Sequence, residues 1–189
     1  MSLKSLPIDK TWTLFLDRDG VINKKLPGDY VKKWEEFEFL PGAVEAIRNF
    51  TGLFGHIFVV TNQQGIGKGI MNEIDLEIIH NKLEEEIRYE GGRITKIYHS
   101  PYRAEEKSVF RKPNPGMARK AKIDFPEIDF EKSLMVGDSI SDMQFGKNTG
   151  MYTLFIAKNN LEFEEHSDII DFVYPTLKSI SDELMKNLK

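Results

Sequence analysis

The sequence predicts an α/β fold in three layers, with a mainly parallel sheet and helices on both of its faces. Short apolar runs alternate with helix-like stretches along the chain, which is typical of strands joined by helices. Several of these runs end abruptly in carboxylate or hydroxyl side chains. The chain has 189 residues, enough for one substantial core, so we expect a single domain over residues 1–189.

Six apolar runs are short enough to be buried strands. In chain order they are Thr11–Leu16, His56–Thr61, Ile94–Tyr98, Ser133–Gly137, Tyr152–Phe155 and Asp171–Val173. The stretches between and after them predict five helices, at Ala43–Phe50, Asn72–Tyr89, Gly116–Ile123, Ser141–Lys147 and Leu177–Leu188. In the longest helix, apolar residues recur near helical spacing between Glu and Lys, which is typical of one face packed on a core.

The bulk composition excludes several classes of protein. Hydrophobic residues make up 40% and charged residues 30%, as in ordinary globular proteins. The absence of cysteine excludes disulfides and thiolate metal sites and fits a reducing compartment. The net charge of −4 and the lack of a basic stripe disfavour nucleic acid as a partner. No apolar stretch approaches the roughly 18 residues of a membrane helix, and the N-terminus lacks a signal core, so we expect a cytoplasmic protein.

The most informative segment is the end of the first predicted strand. There an apolar run stops at Asp17 and Asp19, one residue apart and followed by Gly20. Ligands of α/β sheets bind at the carboxyl ends of strands. Two carboxylates there raise one another's pKa unless a cation neutralises them. The pair therefore predicts a bound cation and chemistry performed by a carboxylate.

Three further strand ends carry groups suited to phosphate chemistry. The second strand ends at Thr61, whose hydroxyl and neighbouring N–H groups can cradle phosphate oxygens. Lys112 places a cation just before a predicted helix, and that helix N-terminus favours an anion. The fourth strand ends in Asp138, with Asp142 early in the next helix. Singly, each is more often a turn, a cap or a solvated charge, and only the ordered combination points to a site.

Four segments, DRDGV, TNQQGIG, RKPNPGM and VGDSISDM, resemble the ordered motifs of the haloacid dehalogenase-like (HAD) phosphohydrolases. The match runs from Leu14 to about Gly150. The residues in and around these segments are similar to those of one branch of the family, which includes heptose 1,7-bisphosphate phosphatases and histidinol-phosphate phosphatases. The resemblance implies a HAD fold. Neither gap after the first two strands has room for the cap domain that many members carry, so we expect an uncapped site.

The resemblance also implies catalytic roles. Asp17 would be the nucleophile that forms an aspartyl-phosphate, and Asp19 would act as general acid and then general base. Mg²⁺ would be held by the Asp17 side chain, the Asp19 backbone carbonyl and Asp138, because hard oxygen ligands suit this ion. Asp142 would orient the metal ligands or Lys112.

Substrate contacts follow from the same resemblance. Thr61 and Lys112 would bind the transferring phosphoryl group. Apart from the resemblance, we interpret the glycine-rich run after Thr61 as a turn before the next helix, and we expect Lys68 in that turn to lie near the substrate. The further candidates for substrate binding are Lys25, Gly28, Asn62, Gln63, Gln64, Arg111 and Ser139.

The chain departs from the branch in two places. Many members carry a zinc loop of cysteines and a histidine, whereas the corresponding positions here are Ser100, Tyr102, Ser108 and Phe110. None is a usual zinc ligand, so we predict no structural zinc. His99 lies nearby and is expected to be a structural or surface residue. Relatives often have a basic residue in place of Ser139, so the departures affect substrate identity more than chemistry.

The leading hypothesis is a Mg²⁺-dependent phosphatase for a small phosphorylated metabolite. A heptose 1,7-bisphosphate, cleaved at C7, is the first choice and histidinol phosphate the second. A polynucleotide 3′-phosphatase is a third reading, which the acidic charge balance disfavours. A non-catalytic phospholigand-binding domain on the same fold is the alternative from another class, and a phosphotransferase has the same sequence signature. No long apolar face demands a partner, so we expect a monomer.

Overall fold

In the computed structural model, which describes residues 2–157 and 165–186, six parallel strands form one sheet. In chain order they are β1 (Thr13–Leu16), β2 (His56–Asn62), β3 (Lys96–Ser100), β4 (Ser133–Gly137), β5 (Tyr152–Ile156) and β6 (Phe172–Tyr174). Their order across the sheet is β3-β2-β1-β4-β5-β6. The strand order therefore runs in opposite directions on the two sides of β1, which is hydrogen-bonded to β2 on one side and to β4 on the other.

Helices cover both faces of the sheet, which confirms the predicted three-layer α/β fold. The helices are α1 (Ala43–Leu53), α2 (Glu73–Tyr89), α3 (Gly116–Asp124), α4 (Ile140–Lys147) and α5 (Leu177–Met185). Alternate side chains of β1 divide the core: Leu14 and Leu16 pack with α1, α2 and α5, whereas Phe15 packs with α3 and α4. Within the described residues, no helix has the length and apolar character needed to cross a bilayer.

The predicted element bounds differ from the observed ones where local hydrogen bonds intervene. The first strand begins at Thr13 rather than Thr11, because the Thr11 N–H and hydroxyl both donate to Asp9 in a turn. The third strand lies two residues later than predicted, at Lys96–Ser100. Asn72 is the cap of α2 and not part of it. The last predicted helix ends at Met185, and residues 187–188 of that prediction lie outside the described residues.

The sheet places the motif residues at one edge. The carboxyl ends of β1, β2 and β4 are adjacent, since Leu16 is in register with Val59 of β2 and Val136 of β4. In sheets of this kind, ligands bind where the strand order reverses, here beside β1. The side chains that follow these three strands therefore face a common crevice.

Phe58 in β2 belongs to the core beneath this edge of the sheet, and truncating it tests how much that packing contributes to stability. The ring is fully buried, with its centroid 5.2 Å from those of Phe15 and Phe125. We expect Phe58→Ala to lower the free energy of unfolding by about 3–5 kcal/mol, as for other buried aromatic truncations. Chemical denaturation measures this. The matched control is Tyr89→Ala, at a ring that is 86% exposed, with an expected change within about 0.5 kcal/mol. Equal effects of the two changes would contradict the packing argument.

Candidate active site

The end of β1 delivers two carboxylates into the crevice. The backbone of Asp17 still belongs to the sheet, because its N–H donates to Val136 O at 2.9 Å. Gly20 then turns the chain with a φ of +97°, which favours glycine. A Cβ at Gly20 would lie 2.1 Å from Asp138 Oδ2, so the chain approaches β4 too closely for any side chain here. This close approach brings the carboxylates of the two strand ends together.

The end of β2 supplies side chains that form hydrogen bonds with other residues of the crevice. Thr61 is buried, and its Oγ1 accepts a hydrogen bond from Gln63 Nε2 at 2.9 Å. Asn62 makes two reciprocal bonds with the backbone of Lys112, accepting from its N–H and donating to its carbonyl. Asn62 and Gln63, expected as substrate contacts, therefore also bond to catalytic candidates.

Lys112 lies buried between two carboxylates. Its Nζ is 2.8 Å from Asp17 Oδ1 and 2.5 Å from Asp142 Oδ1, and it also donates to Val60 O at 2.7 Å. Burial favours the neutral amine, but the ion pairs with Asp142 and Asp17 prevail and raise the pKa of Lys112 to about 12. Lys112 therefore carries a permanent positive charge at the bottom of the crevice. This placement agrees with the expectation that Asp142 orients it.

The end of β4 contributes Asp138 and the start of α4. Ser139 caps that helix, because its Oγ donates to Asp142 Oδ2 at 2.6 Å while the Asp142 carboxylate accepts from the Ser139 N–H. Asp138 pairs with Lys25 Nζ at 2.9 Å. Lys25 belongs to the long loop after β1, so this ion pair links that loop to the end of β4.

The carboxylates are crowded enough to disturb the proton affinity of Asp17. Burial raises the pKa of Asp17 to about 7, Lys112 opposes the rise, and Asp142 and Asp138 add to it. Burial likewise raises the pKa of Asp138, against the opposing charge of Lys25. Burial is the main cause of both shifts, and the neighbouring carboxylates add to it.

Asp19 differs, because donors surround its carboxylate. Oδ1 accepts from Arg18 Nη2 and Asn23 Nδ2, and Oδ2 accepts from Arg18 Nη2 and Gln63 Nε2. Burial alone would raise the pKa of Asp19, but the Arg18 charge and these hydrogen bonds outweigh it and lower the pKa. Asp19 is therefore held as a carboxylate.

The donor set fits a hard divalent cation. Among the described residues, the one group of three potential metal-ligating side chains is Asp17, Asp138 and Asp142, with ligand atoms all within 4.8 Å of one another. Carboxylate oxygens are the ligands that Mg²⁺ takes in proteins. A cation bound there would offset the repulsion from Asp142 that adds to the raised pKa values of Asp17 and Asp138.

All the predicted site residues line one cavity of about 470 Å³. It brings together Asp17, Asp19, Lys25, Gly28, Thr61, Asn62, Gln63, Gln64, Arg111, Lys112, Asp138, Ser139 and Asp142. Lys68 also lines it, and its Nζ donates to the Tyr30 hydroxyl at 2.9 Å. Proximity alone assigns no role to any of these side chains.

Sequence reasoning missed several contributors to this cavity. Asp29, Tyr30 and Ser141 line it, and Arg18 reaches Asp19 from the protein interior. Arg18 was detectable in principle, because it lies between the two aspartates and alternation points it away from them. Nothing local to the sequence marks Tyr30, since its position depends on how the long loop after β1 folds back.

The positions compared with a zinc loop lie on the segment that leads to Arg111, which lines the cavity. Ser100 ends β3 and is buried, whereas Tyr102 and Phe110 are exposed. His99 pairs with Glu73 at 2.8 Å, and its ring lies 5.9 Å from that of His80, which fits the expected structural role. Arg111 Nη1 donates to Tyr102 O at 3.1 Å and thereby ties the two ends of this loop together.

Comparisons with known proteins find similarity to a family of hydrolases and to named phosphatases. The HAD-hydrolase-like family model matches residues 109–180. The chain is 40% identical to D-glycero-α-D-manno-heptose-1,7-bisphosphate 7-phosphatase of Mycobacterium bovis over 72% of each chain. It is 38% identical to the enzyme of that name from Campylobacter jejuni, over 86% of this chain and 96% of the relative.

A solved structure gives the same result. The D,D-heptose 1,7-bisphosphate phosphatase of B. bronchiseptica, complexed with magnesium and phosphate, superposes with a TM-score of 0.81 at 26% identity, over 93% of this chain and 98% of the other. HAD phosphatases use Mg²⁺. The chain therefore belongs to the HAD-like hydrolases, in the group that includes the heptose-bisphosphate phosphatases, and it is a phosphomonoester hydrolase.

Proposed function

We propose that this phosphatase removes the C7 phosphate from D-glycero-D-manno-heptose 1,7-bisphosphate. The relatives named above support the substrate. One structural observation carries the proposal: the cavity has carboxylates and buried Lys112 at its bottom, and three further cations, Lys25, Lys68 and Arg111, in its more exposed walls. We call these three the rim cations. They suit a substrate that has a second anionic group besides the phosphate being cleaved.

Asp17 is the proposed nucleophile. Its carboxylate attacks phosphorus, a bond from Asp17 to phosphorus forms, and the bond to the ester oxygen breaks. The ion pair with Lys112 at 2.8 Å favours the charged, nucleophilic form against the effect of burial. The same ion pair fixes the direction of the carboxylate, so attack requires little reorganisation.

Lys112 and Thr61 are the proposed phosphoryl-binding residues. Both are buried beside Asp17, where Thr61 supplies a hydroxyl donor, and Lys112 a positive charge, to the place where the phosphoryl oxygens would lie. Charge that develops on those oxygens in the transition state is stabilised by fixed donors that need no rearrangement. Asp142 and Asn62 hold Lys112 in place through its ammonium and its backbone.

Asp19 is the proposed general acid and base. In the first step the departing oxygen takes a proton from Asp19. In the second step water attacks phosphorus, Asp19 takes a proton from that water, and the bond between Asp17 and phosphorus breaks. The lowered pKa of Asp19 supports the second role. The approach of an anionic phosphate favours the protonated form that the first role needs.

Asp17, Asp138 and the Asp19 carbonyl are the proposed Mg²⁺ ligands, with Asp142 orienting them. Bound there, the ion neutralises charge between an anionic nucleophile and an anionic phosphate. The positions compared with a zinc loop carry no cysteine or histidine, so we propose that this chain has no structural zinc. One chain supplies every residue assigned above, which supports a monomer.

The substrate assignment is tested with a panel of esters and Mg²⁺. We expect kcat/KM for the heptose 1,7-bisphosphate to exceed that for the heptose 7-phosphate by at least about tenfold, the scale of one hydrogen bond to a charged group. Phosphate release measures this, with both anomers, histidinol phosphate and a 3′-phosphorylated oligonucleotide in the panel. A preference for histidinol phosphate or the oligonucleotide would overturn the substrate, and transfer of phosphate to an added alcohol would reveal a phosphotransferase.

The nucleophile is tested by Asp17→Asn. We expect phosphate release to fall by at least about three orders of magnitude, because the amide cannot form the covalent intermediate. Circular dichroism should show a folded protein. The matched control is Asp9→Asn, in the exposed turn before the opposite end of β1, which should release phosphate at the wild-type rate. Substantial turnover by Asp17→Asn would remove Asp17 from this role.

The metal site is tested by calorimetric titration with Mg²⁺. We expect Asp138→Asn to weaken Mg²⁺ binding by at least about tenfold, since it removes one of the clustered carboxylates. Asp29→Asn is the control, because Asp29 lines the same cavity but pairs with Lys32. Elemental analysis of the purified protein should find no stoichiometric zinc. Unchanged Mg²⁺ affinity in Asp138→Asn, or bound zinc, would contradict these assignments.

A further inference from the structure

Arg18 is a completely buried cation next to the reacting carboxylates. Its side chain has no exposed surface, and it lies between Asp17 and Asp19 in the sequence. A buried guanidinium is costly unless its N–H groups find acceptors. Nη2 donates to both oxygens of Asp19, at 3.0 and 2.9 Å, whereas Nε has no hydrogen-bond partner.

The remaining nitrogen, Nη1, meets a histidine from α2. Nη1 lies 3.1 Å from His80 Nε2, in a buried contact that joins residues 62 positions apart. Arginine only donates, so Nε2 must be the acceptor and His80 must be neutral with its proton on Nδ1. Burial, Arg18 and the nearby His99 lower the pKa of His80 well below its ordinary value, which agrees with this tautomer.

The contact with His80 determines which nitrogen of Arg18 donates to the Asp19 carboxylate. An unrestrained guanidinium faces a carboxylate with two nitrogens in a fork. Here one nitrogen spans both oxygens of Asp19, because the other is directed at His80. Asn23 donates to Oδ1 and Gln63 to Oδ2, so each oxygen of Asp19 accepts from two protein donors. Each donor thereby limits the rotation of the carboxylate.

We propose that Arg18 and His80 form a buried positioning pair that sets the orientation of the Asp19 carboxylate during phosphate-ester hydrolysis. The inference rests on the proposed function, since it assigns a task to residues behind the proposed acid and base. Neither side chain lines the cavity. The pair acts through Asp19 and should govern the chemical step rather than the binding of substrate.

The test replaces His80 in two ways. Gln places an acceptor oxygen near the position of Nε2, whereas Met fills similar volume with only a weak acceptor. We expect His80→Met to lower kcat roughly tenfold with KM little changed, the scale of losing a side chain that orients a site residue. We expect His80→Gln to retain most of kcat. Wild-type kcat in His80→Met, or an equal loss in both variants, would overturn the proposal.

A second measurement examines the pair without turnover. We expect ¹⁵N NMR of the wild-type imidazole to show His80 neutral, with Nδ1 protonated and Nε2 bare. A protonated Nε2 would overturn the proposal, because it could not accept from Arg18. The wild-type rate, with Asp17→Asn as blank, tests the proposed function separately. If the wild type is active and the two His80 variants have equal kcat, the positioning pair alone is rejected. If the wild type is inactive, the proposed function is rejected.

Discussion

Lys112 is the charge on which the rest of the site depends. Asp17 and Asp142 are buried near the end of the sheet, and with Asp138 their carboxylate oxygens lie within 4.8 Å of one another. Lys112 touches two of the three, at 2.8 and 2.5 Å. Burying these charges is costly, and their attraction offsets the cost only in good geometry. Without the ammonium, two buried carboxylates would repel one another, and the crevice could not keep this shape.

The backbone that carries Lys112 is held as firmly as its charge. Asn62 at the end of β2 bonds both the N–H and the carbonyl of Lys112, and Nζ also reaches the carbonyl of Val60. On the other side, Asn148 after α4 donates to Pro113 O. The segment before α3 is thereby tied to both halves of the sheet, so the chemistry at β1 and the packing of α4 depend on one another.

The sequence predicts this arrangement well where strand ends determine it. Ser133–Gly137 was predicted with its observed bounds, because a fully buried strand is a continuous apolar run. Residues that follow parallel strands must meet at one edge, so Asp17, Thr61 and Asp138 could be expected together. The sequence predicts less where distant residues decide. Nη1 of Arg18 meets an acceptor because α2 brings His80 against it, and no local pattern encodes that contact.

The side chains of the cavity differ in burial, so its bottom is rigid and its walls are adaptable. Lys112 and Asp142 at the bottom are almost entirely buried and bonded to each other. The Lys25 side chain, by contrast, is 58% exposed and has Asp138 as its ion-pair partner. Exposed pairs contribute only about 0–1 kcal/mol, so a ligand anion can replace such a partner at small cost. We therefore expect the chemistry to depend on strand ends that the sequence reveals, and substrate choice to depend on loop side chains whose positions only the folded chain defines.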